Sequence, residues 1–100
     1  MTKTRLLSYL KSIKEELHKK YGIISLGLYG SYARGEATDT SDVDIFYERD
    51  KNFQLDSGLE LMNLDEKIAK ELQVPKVDFV SLEFMNPIIK HYAKKDFIYV

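Results

Sequence analysis

The sequence contains no cysteine and no tryptophan among its 100 residues. Without cysteine, the chain can form neither a disulfide scaffold nor a zinc site built on thiolates. The absence agrees with a reducing compartment, and we expect a cytoplasmic protein. Neither sign of charge is in excess, since 15 basic side chains stand against 16 acidic ones and the net charge is -1. Nucleic-acid-binding domains usually carry a basic excess, so direct nucleic-acid binding is not expected.

Long apolar runs are also missing. The longest apolar region, residues 21–29, falls well short of the about 20 residues that a membrane-spanning helix needs. The first five residues lead directly into an amphipathic pattern without the apolar stretch of a signal peptide. We therefore expect neither a membrane association nor a secretory leader. A length of 100 residues allows one modest core, so residues 1–100 are predicted to form a single domain.

Hydrophobic periodicity predicts alternating helices and strands. Helices are expected at 4–20 with Gly22 as the stop, at 57–72 with Ser57 and Glu60 in capping-box spacing, and at 87–94 with Asn86 as N-cap. Strands are expected at Ile23–Tyr29, buried on both faces, at 42–47 and at 77–82, and an apolar tail follows at 97–100. The order predicts an α/β (α+β) fold with a small mixed sheet and helices packed on one face.

Two aspartates, Asp42 and Asp44, occupy positions i and i+2 of the second predicted strand. Such positions point to the same side of a sheet, roughly 6.7 Å apart along the strand. At an effective dielectric constant of about 20, two full charges at that separation repel by roughly 2.5 kcal/mol. A divalent cation removes this cost, and carboxylates that also touch substrate phosphates commonly hold magnesium. The pair is a candidate metal site, although solvated residues on an edge strand would have the same spacing.

The turn after the first predicted strand carries Gly30 and Ser31. Glycine lets the backbone approach a ligand closely, and free N–H groups at the start of a helical turn bind anions. With the Ser31 hydroxyl as a further donor, this turn would hold the outer phosphates of a triphosphate. Without the aspartates, the same two residues would indicate only a simple turn.

Two further residues after this turn, Arg34 and Ser41, are included among the predicted phosphate ligands, and each has a structural alternative. Arg34 binds phosphate or anchors the loop by pairing with Asp39 or Asp42. Ser41 contacts phosphate or orients the strand that follows it.

Asp78 is a lone carboxylate in an otherwise apolar strand, a costly arrangement unless something satisfies it. By alternation it faces the same side as Asp42 and Asp44, provided that the two strands are neighbours. Three carboxylates on one surface would support two metal ions, one lowering the pKa of an acceptor hydroxyl and the other holding a triphosphate. Asp78 could also act as the general base.

Together, Gly30-Ser31, Asp42-Val43-Asp44 and Asp78 resemble the signature of the polymerase-β-type nucleotidyltransferase superfamily. The fuller pattern, residues 30–35 followed by residues 41–45, is similar to the minimal nucleotidyltransferases of prokaryotes, known as MNT proteins. The resemblance extends over the whole chain, and no catalytic position of the family pattern is missing.

The resemblance implies a protein adenylyltransferase that uses ATP and magnesium. MNT proteins are often antitoxins paired with a HEPN-domain ribonuclease toxin, and the family activity is transfer of AMP from ATP to a tyrosine of that toxin. A HEPN toxin is therefore the implied partner, in a hetero-oligomer.

Two alternatives stay open. One is a transferase that acts on a small molecule such as an antibiotic; such relatives usually carry a further helical domain, for which 100 residues leave no room. The other is a binding-only antitoxin that masks its toxin without chemistry. A pure binder has no need for three aspartates in this arrangement, which argues against it.

Overall fold

The computed structural model describes residues 1–56 and 58–100. The elements follow one another as α1 (Lys3–Tyr21), β1 (Ile23–Tyr29), α2 (Gly30–Arg34), β2 (Val43–Arg49), α3 (Gly58–Met62), α4 (Leu64–Leu72), β3 (Val77–Ser81), α5 (Pro87–Ala93), a 3-10 turn (Lys94–Asp96) and β4 (Ile98–Tyr99). In these two described ranges, no helix combines the length and the apolar character that crossing a membrane requires.

The strands form a four-stranded mixed sheet in the order β3-β2-β1-β4. β1 is antiparallel to β2 and to β4, whereas β2 and β3 are parallel. Parallel neighbours need a long crossover connection, which here contains α3 and α4. The predicted α/β fold with a small mixed sheet is confirmed. As a result, the end of β1 meets the beginnings of β2 and β3 at one edge of the sheet.

The first helix is capped at both ends. The Thr2 hydroxyl accepts a hydrogen bond from the backbone N–H of Arg5 at 3.1 Å. At the other end, the N–H of Gly22 donates to the carbonyl of His18 at 3.0 Å. The helix thus extends one residue beyond each predicted end, and Gly22 is the stop that the sequence predicts.

The helices α1 and α4 cover one face of the sheet. Their buried side chains form one cluster with strand residues: Leu6, Leu10 and Leu17 from α1, Leu64, Ile68 and Leu72 from α4, and Leu26, Leu28, Val43, Ile45 and Val77 from the strands. Successive strand residues point to opposite faces, so Asp44, between Val43 and Ile45, and Asp78, after Val77, face away from the two helices.

The opposite face carries a smaller cluster around Phe46, which is fully buried. Phe97 stacks on Phe46 with ring centroids 4.3 Å apart and an angle of 24° between the ring planes. Leu82 and Met85 complete the cluster. The segment 97–100 is therefore more than an apolar tail: it supplies Phe97 to this cluster and forms β4 on the edge of the sheet.

The expectation of one continuous helix over 57–72 is wrong. The helices α3 and α4 are separated at Asn63, which lies at the N-cap position of α4. The side chain of Asn63 makes no capping hydrogen bond; its backbone N–H ends α3 by donating to the carbonyls of Leu59 and Glu60, each at 3.2 Å. Ser57, the predicted start of this helix, lies outside the described residues.

The expectation that β1 is buried on both faces is wrong at its beginning. Ile24 is 52% exposed. The register between β1 and β2 shifts between Ile23 and Ser25, and such a bulge re-aims the side chains around it. From Leu26 to Leu28 the strand is buried as expected.

Candidate active site

The predicted aspartates come together at the edge where β1 ends and β2 and β3 begin. Asp44 and Asp78 are direct partners in the register of the two parallel strands. The pKa of Asp44 is raised to about 6. Burial of the carboxyl group is the largest cause, and the charge of Asp78, a hydrogen bond with Asp78 and the charge of Asp42 follow in that order. Asp44 is therefore held in a desolvated and acidic environment, in which a positive charge would be stabilised.

Asp42 lies one residue before β2 and is half-buried. Within residues 1–56 and 58–100, no three His, Cys, Asp or Glu side chains form a ready-made metal-binding group. Asp44 and Asp78 are thus the close pair, with Asp42 near enough to act through its charge. Magnesium usually takes one or two protein carboxylates and completes its shell with substrate phosphates and water. The chemistry of this donor set fits a magnesium ion that binds together with a triphosphate.

Gly30 joins β1 to α2 and packs directly against Asp44. Its φ angle is 74°, a left-handed conformation that costs glycine little but strains other residues. A Cβ atom at this position would overlap Oδ2 of Asp44. Both the backbone and the contact with the carboxylate therefore require glycine here, a reason that differs from the ligand approach on which the sequence prediction rested.

The one-turn helix α2 begins with Gly30 and Ser31. Tyr29, the residue before it, makes no capping hydrogen bond through its side chain. The first N–H groups of this turn are therefore not satisfied by that side chain. Burial and the charges of Asp44 and Asp78 raise the pKa of Tyr29 to about 12, so its hydroxyl keeps its proton at neutral pH.

Arg34 pairs with two carboxylates. Its Nε donates to Glu36 Oε2 and its Nη1 to Asp96 Oδ2, each at 3.0 Å. The anchoring alternative describes these contacts, but the expected partners, Asp39 and Asp42, are wrong. The reason is tertiary: the 3-10 turn brings Asp96 to Arg34 from a distant part of the sequence.

Ser41 orients the loop that leads into β2. Its hydroxyl accepts a hydrogen bond from the backbone N–H of Thr38 at 2.8 Å, and its own N–H donates to the carbonyl of Thr38 at 3.1 Å. These contacts match the structural alternative for Ser41.

A cleft of about 560 Å³ opens beside Asp44. One wall comes from the end of β1 and from α2: Tyr29, Gly30, Ser31 and Arg34. The other wall comes from α5 and the 3-10 turn: Ile88, Ile89, Tyr92, Ala93, Lys95 and Asp96. Asp42, Asp78 and Ser41 are not among the residues that line it. A cavity between α1 and α4 holds only about 60 Å³, and none of Asp42, Asp44 and Asp78 lines it.

The α5 wall is the part of the cleft that sequence reasoning missed. Ile88, Ile89 and Tyr92 are 70%, 56% and 68% exposed. Apolar residues at such helical spacing normally indicate a face that packs on the core. The short helix with this stripe was the available signal, but periodicity does not distinguish a core face from a ligand-facing one.

The family of the chain follows from its sequence. Residues 10–100 match the model of the nucleotidyltransferase domain. The chain belongs to this family. The resemblance carried by Gly30-Ser31, Asp42-Val43-Asp44 and Asp78 is thereby confirmed, and the chain is an enzyme of the nucleotidyltransferase class.

Curated relatives match this nucleotidyltransferase along its length. A protein of Methanocaldococcus jannaschii, provisionally named a protein adenylyltransferase, is 39% identical, and the match covers 99% of this chain and 98% of the relative. A second protein of that organism with the same provisional name is 34% identical over the same shares. The protein adenylyltransferase MntA of Thermococcus cleftensis is 31% identical, with 100% of this chain and 97% of the relative covered.

Solved structures share the fold. One, described provisionally as a minimal nucleotidyltransferase, has a TM-score of 0.75 and 23% identity, and covers 98% of this chain and 95% of its own. A crystal structure of a toxin–antitoxin with AMP-PNP has a TM-score of 0.70 and 21% identity, and covers 89% of this chain and 69% of its own. At these identities the likeness shows the fold alone.

Proposed function

We propose that this nucleotidyltransferase transfers AMP from ATP to a hydroxyl of a protein. The observation that carries the proposal is the pairing of Asp44 with Asp78 beside the Gly30–Ser31 turn. The names of the relatives supply the acceptor class, since they describe protein adenylyltransferases. Fold alone would leave the acceptor open, because one fold hosts many functions.

The turn at Gly30 and Ser31 is the proposed phosphate site. The N–H groups at the start of α2 and the Ser31 hydroxyl would donate to the outer phosphates of ATP. Lys95 lines the same cleft and adds positive charge. The guanidinium of Arg34 is already held by Glu36 and Asp96, so we assign Arg34 to anchoring the cleft walls, with its charge acting on the phosphates from a distance.

The carboxylates Asp42, Asp44 and Asp78 are the proposed ligands of two magnesium ions. When bound, the metal ions would lower the pKa of the acceptor hydroxyl and neutralise the triphosphate. Because the side chain of Asp78 is 37% exposed, it is accessible to an incoming hydroxyl. Its Oδ1 lies 3.5 Å from Lys76 Nζ. We assign it as metal ligand or as the base that takes the proton. The acceptor oxygen then bonds to the α-phosphorus, and pyrophosphate leaves.

A tyrosine of a HEPN-domain ribonuclease toxin is the proposed acceptor, which makes this chain an antitoxin. The HEPN domain and the tyrosine are what the family resemblance implies. The comparisons support the coarser part: the Thermococcus relative is named a protein adenylyltransferase, and a protein of the same fold was crystallised as a toxin–antitoxin with AMP-PNP. In this proposal the toxin is inactivated by the modification itself and forms a hetero-oligomer with the enzyme.

The test is to incubate the enzyme with α-labelled ATP, magnesium and a candidate toxin, and to locate the label by peptide mass analysis. Label on a toxin tyrosine is the expected result. Asp44→Asn should abolish labelling, and Asp39→Asn, an exposed aspartate of the preceding loop, is the matched control. If the Asp44→Asn protein inhibits the toxin as well as the wild type does, binding rather than AMP transfer is the function.

A further inference from the structure

We infer that α5 is the nucleobase-binding wall of the cleft, with Tyr92 stacking on the base and Ile88 and Ile89 packing beside it. The inference rests on the proposed function in one respect: the ligand is a nucleoside triphosphate whose phosphates lie at Gly30 and Ser31. It adds a subsite and a specificity, because a wall of this kind selects bases by size and not by hydrogen bonds.

The apolar side chains of α5 do not serve the core. None of the residues of α5 is buried. The segment is held instead by its flanks, because Met85 before α5 and Phe97 after it both belong to the Phe46 cluster. With α5 anchored from outside, Ile88, Ile89 and Tyr92 remain 56–70% exposed. Because burial in the core does not explain these apolar side chains, we assign them a role in binding a ligand.

The two walls of the cleft differ in polarity, as the phosphates and the base of a nucleotide do. Its β1–α2 wall bears Ser31 and borders Asp44, whereas its α5 wall is apolar. The ion pair between Arg34 and Asp96, at 3.0 Å, ties the two walls together, and the Asp96 side chain is only 13% exposed. The volume of about 560 Å³ lies inside the roughly 300–1,000 Å³ typical of ligand sites. A nucleotide with its phosphates at Ser31 therefore has an apolar surface within the same cleft for its base.

Tyr92 has the geometry of a stacking platform. The ring of His91 meets it in a T-shaped contact, with centroids 5.3 Å apart and 80° between the planes. One T-shaped neighbour covers at most one ring face, and Tyr92 is 68% exposed. Bases stack on aromatic side chains with little regard to their hydrogen-bonding groups. ATP and GTP should therefore bind with affinities within about threefold of each other, and both more tightly than CTP and UTP, whose smaller bases offer less surface.

The experiment is titration calorimetry with two probes, AMP-PNP and inorganic tripolyphosphate, each with magnesium. Tyr92→Ala should weaken AMP-PNP binding by about tenfold and leave tripolyphosphate binding unchanged, since only the first probe has a base. Tyr92→Phe keeps the ring and should bind like the wild type. Phe84→Ala is the matched control, because Phe84 is 82% exposed and does not line the cleft. Ile88→Ser gives a second, independent disruption of the same wall.

Several outcomes would overturn the inference. The first is unchanged AMP-PNP affinity in both Tyr92→Ala and Ile88→Ser. The second is an equal loss of affinity for both probes, which would place the effect on the phosphates. The third is normal nucleotide binding with lost modification of a protein acceptor, which would make α5 a partner surface. Binding of CTP as tight as that of ATP would contradict selection by base size. All nucleotide readouts are made without an acceptor, so a failure of the proposed protein adenylylation leaves them interpretable.

Discussion

The two faces of the sheet use alternate residues of the same strands for different purposes. On the helix-covered face, Val43, Ile45 and Val77 are each at most 3% exposed and pack with α1 and α4. On the opposite face, Asp44 and Asp78 lie at the intervening positions, half-buried and close enough that one raises the pKa of the other. The first face stabilises the fold by burying apolar area. The second also buries the Phe46 cluster, but at the start of β2 and β3 it holds like charges together at a cost.

The contrast shows how a chain this small accommodates both a core and the candidate active site. A strand alternates its side chains with a period of two, so neighbouring residues can belong to the core and to the site without a separate element for either. The position of each aspartate is then only as precise as the packing of the apolar residues beside it. Substitutions on the two faces should therefore have opposite consequences for stability and activity.

The largest effect is expected from Asp44→Asn, which should lower the proposed AMP transfer by at least about 100-fold. Asp44 is a proposed metal ligand, and losing even a residue that only hydrogen-bonds to a metal ligand costs up to about 100-fold. The free energy of unfolding without metal should stay the same or rise slightly, because repulsion from Asp78 is relieved. Steady-state transfer and urea unfolding measure the two quantities. Asp39→Asn should match the wild type in both, and near-normal transfer by Asp44→Asn would contradict the proposed metal site.

On the other face, Ile45→Ala should lower the free energy of unfolding by about 2–5 kcal/mol, because Ile45 is fully buried and its loss leaves a cavity. Transfer per folded molecule, measured well below the transition, should change much less than in Asp44→Asn. Urea unfolding followed by circular dichroism gives the first value. If the Ile45→Ala and Asp44→Asn variants were equally destabilised, the two faces would not differ in their contribution to stability, and the comparison would be wrong.

A smaller effect separates two glycines with the same backbone. Gly30 and Gly35 both have φ of 74°, so alanine at either should cost about 1–2 kcal/mol of strain. Only at Gly30 would the new Cβ displace Asp44; at Gly35 it meets nothing within 4 Å. Gly30→Ala should therefore weaken magnesium–nucleotide binding by about tenfold or more, and Gly35→Ala should leave it intact. Equal losses at both glycines would refute the argument.

Ser31→Ala should fall between the two glycine variants in calorimetry, with a loss of about 1 kcal/mol in binding free energy.

The smallest expected effect is a pH dependence of stability. The pKa of Asp44 is about 6 in the folded protein and 3.8 ordinarily. Between these values the folded state holds more protons than the unfolded state, so the contribution of Asp44 to stability falls as pH rises through that window. Relative to Asp44→Asn, the metal-free wild type should lose about 5 °C or less in melting temperature from pH 4 to pH 6. Parallel pH profiles for the two proteins would rule out this assignment.

Local patterns in the sequence predicted most of the fold and part of the site. The periods of 3.6 and two residues predicted α1 and the first three strands. That Asp42 and Asp44 share a side stays a prediction, because β2 begins at Val43, after Asp42. Gly22 and Asn86 predicted helix ends, which their own hydrogen bonds explain. These features depend on residues a few positions apart, so the chain itself determines them wherever the rest of the fold allows.

The remaining features depended on contacts between residues far apart in the chain. The parallel register placed Asp78 beside Asp44, and the return of the last residues along β1 made a strand of what the sequence predicted only as an apolar tail. Arg34 pairs with Asp96, 62 positions away in the sequence, and not with the nearby aspartates. The helix α5 forms a wall of the cleft, although its apolar pattern is that of a core helix. Periodicity shows that a side chain is apolar or shares a face with another, but only the packing of the whole chain decides what that face meets.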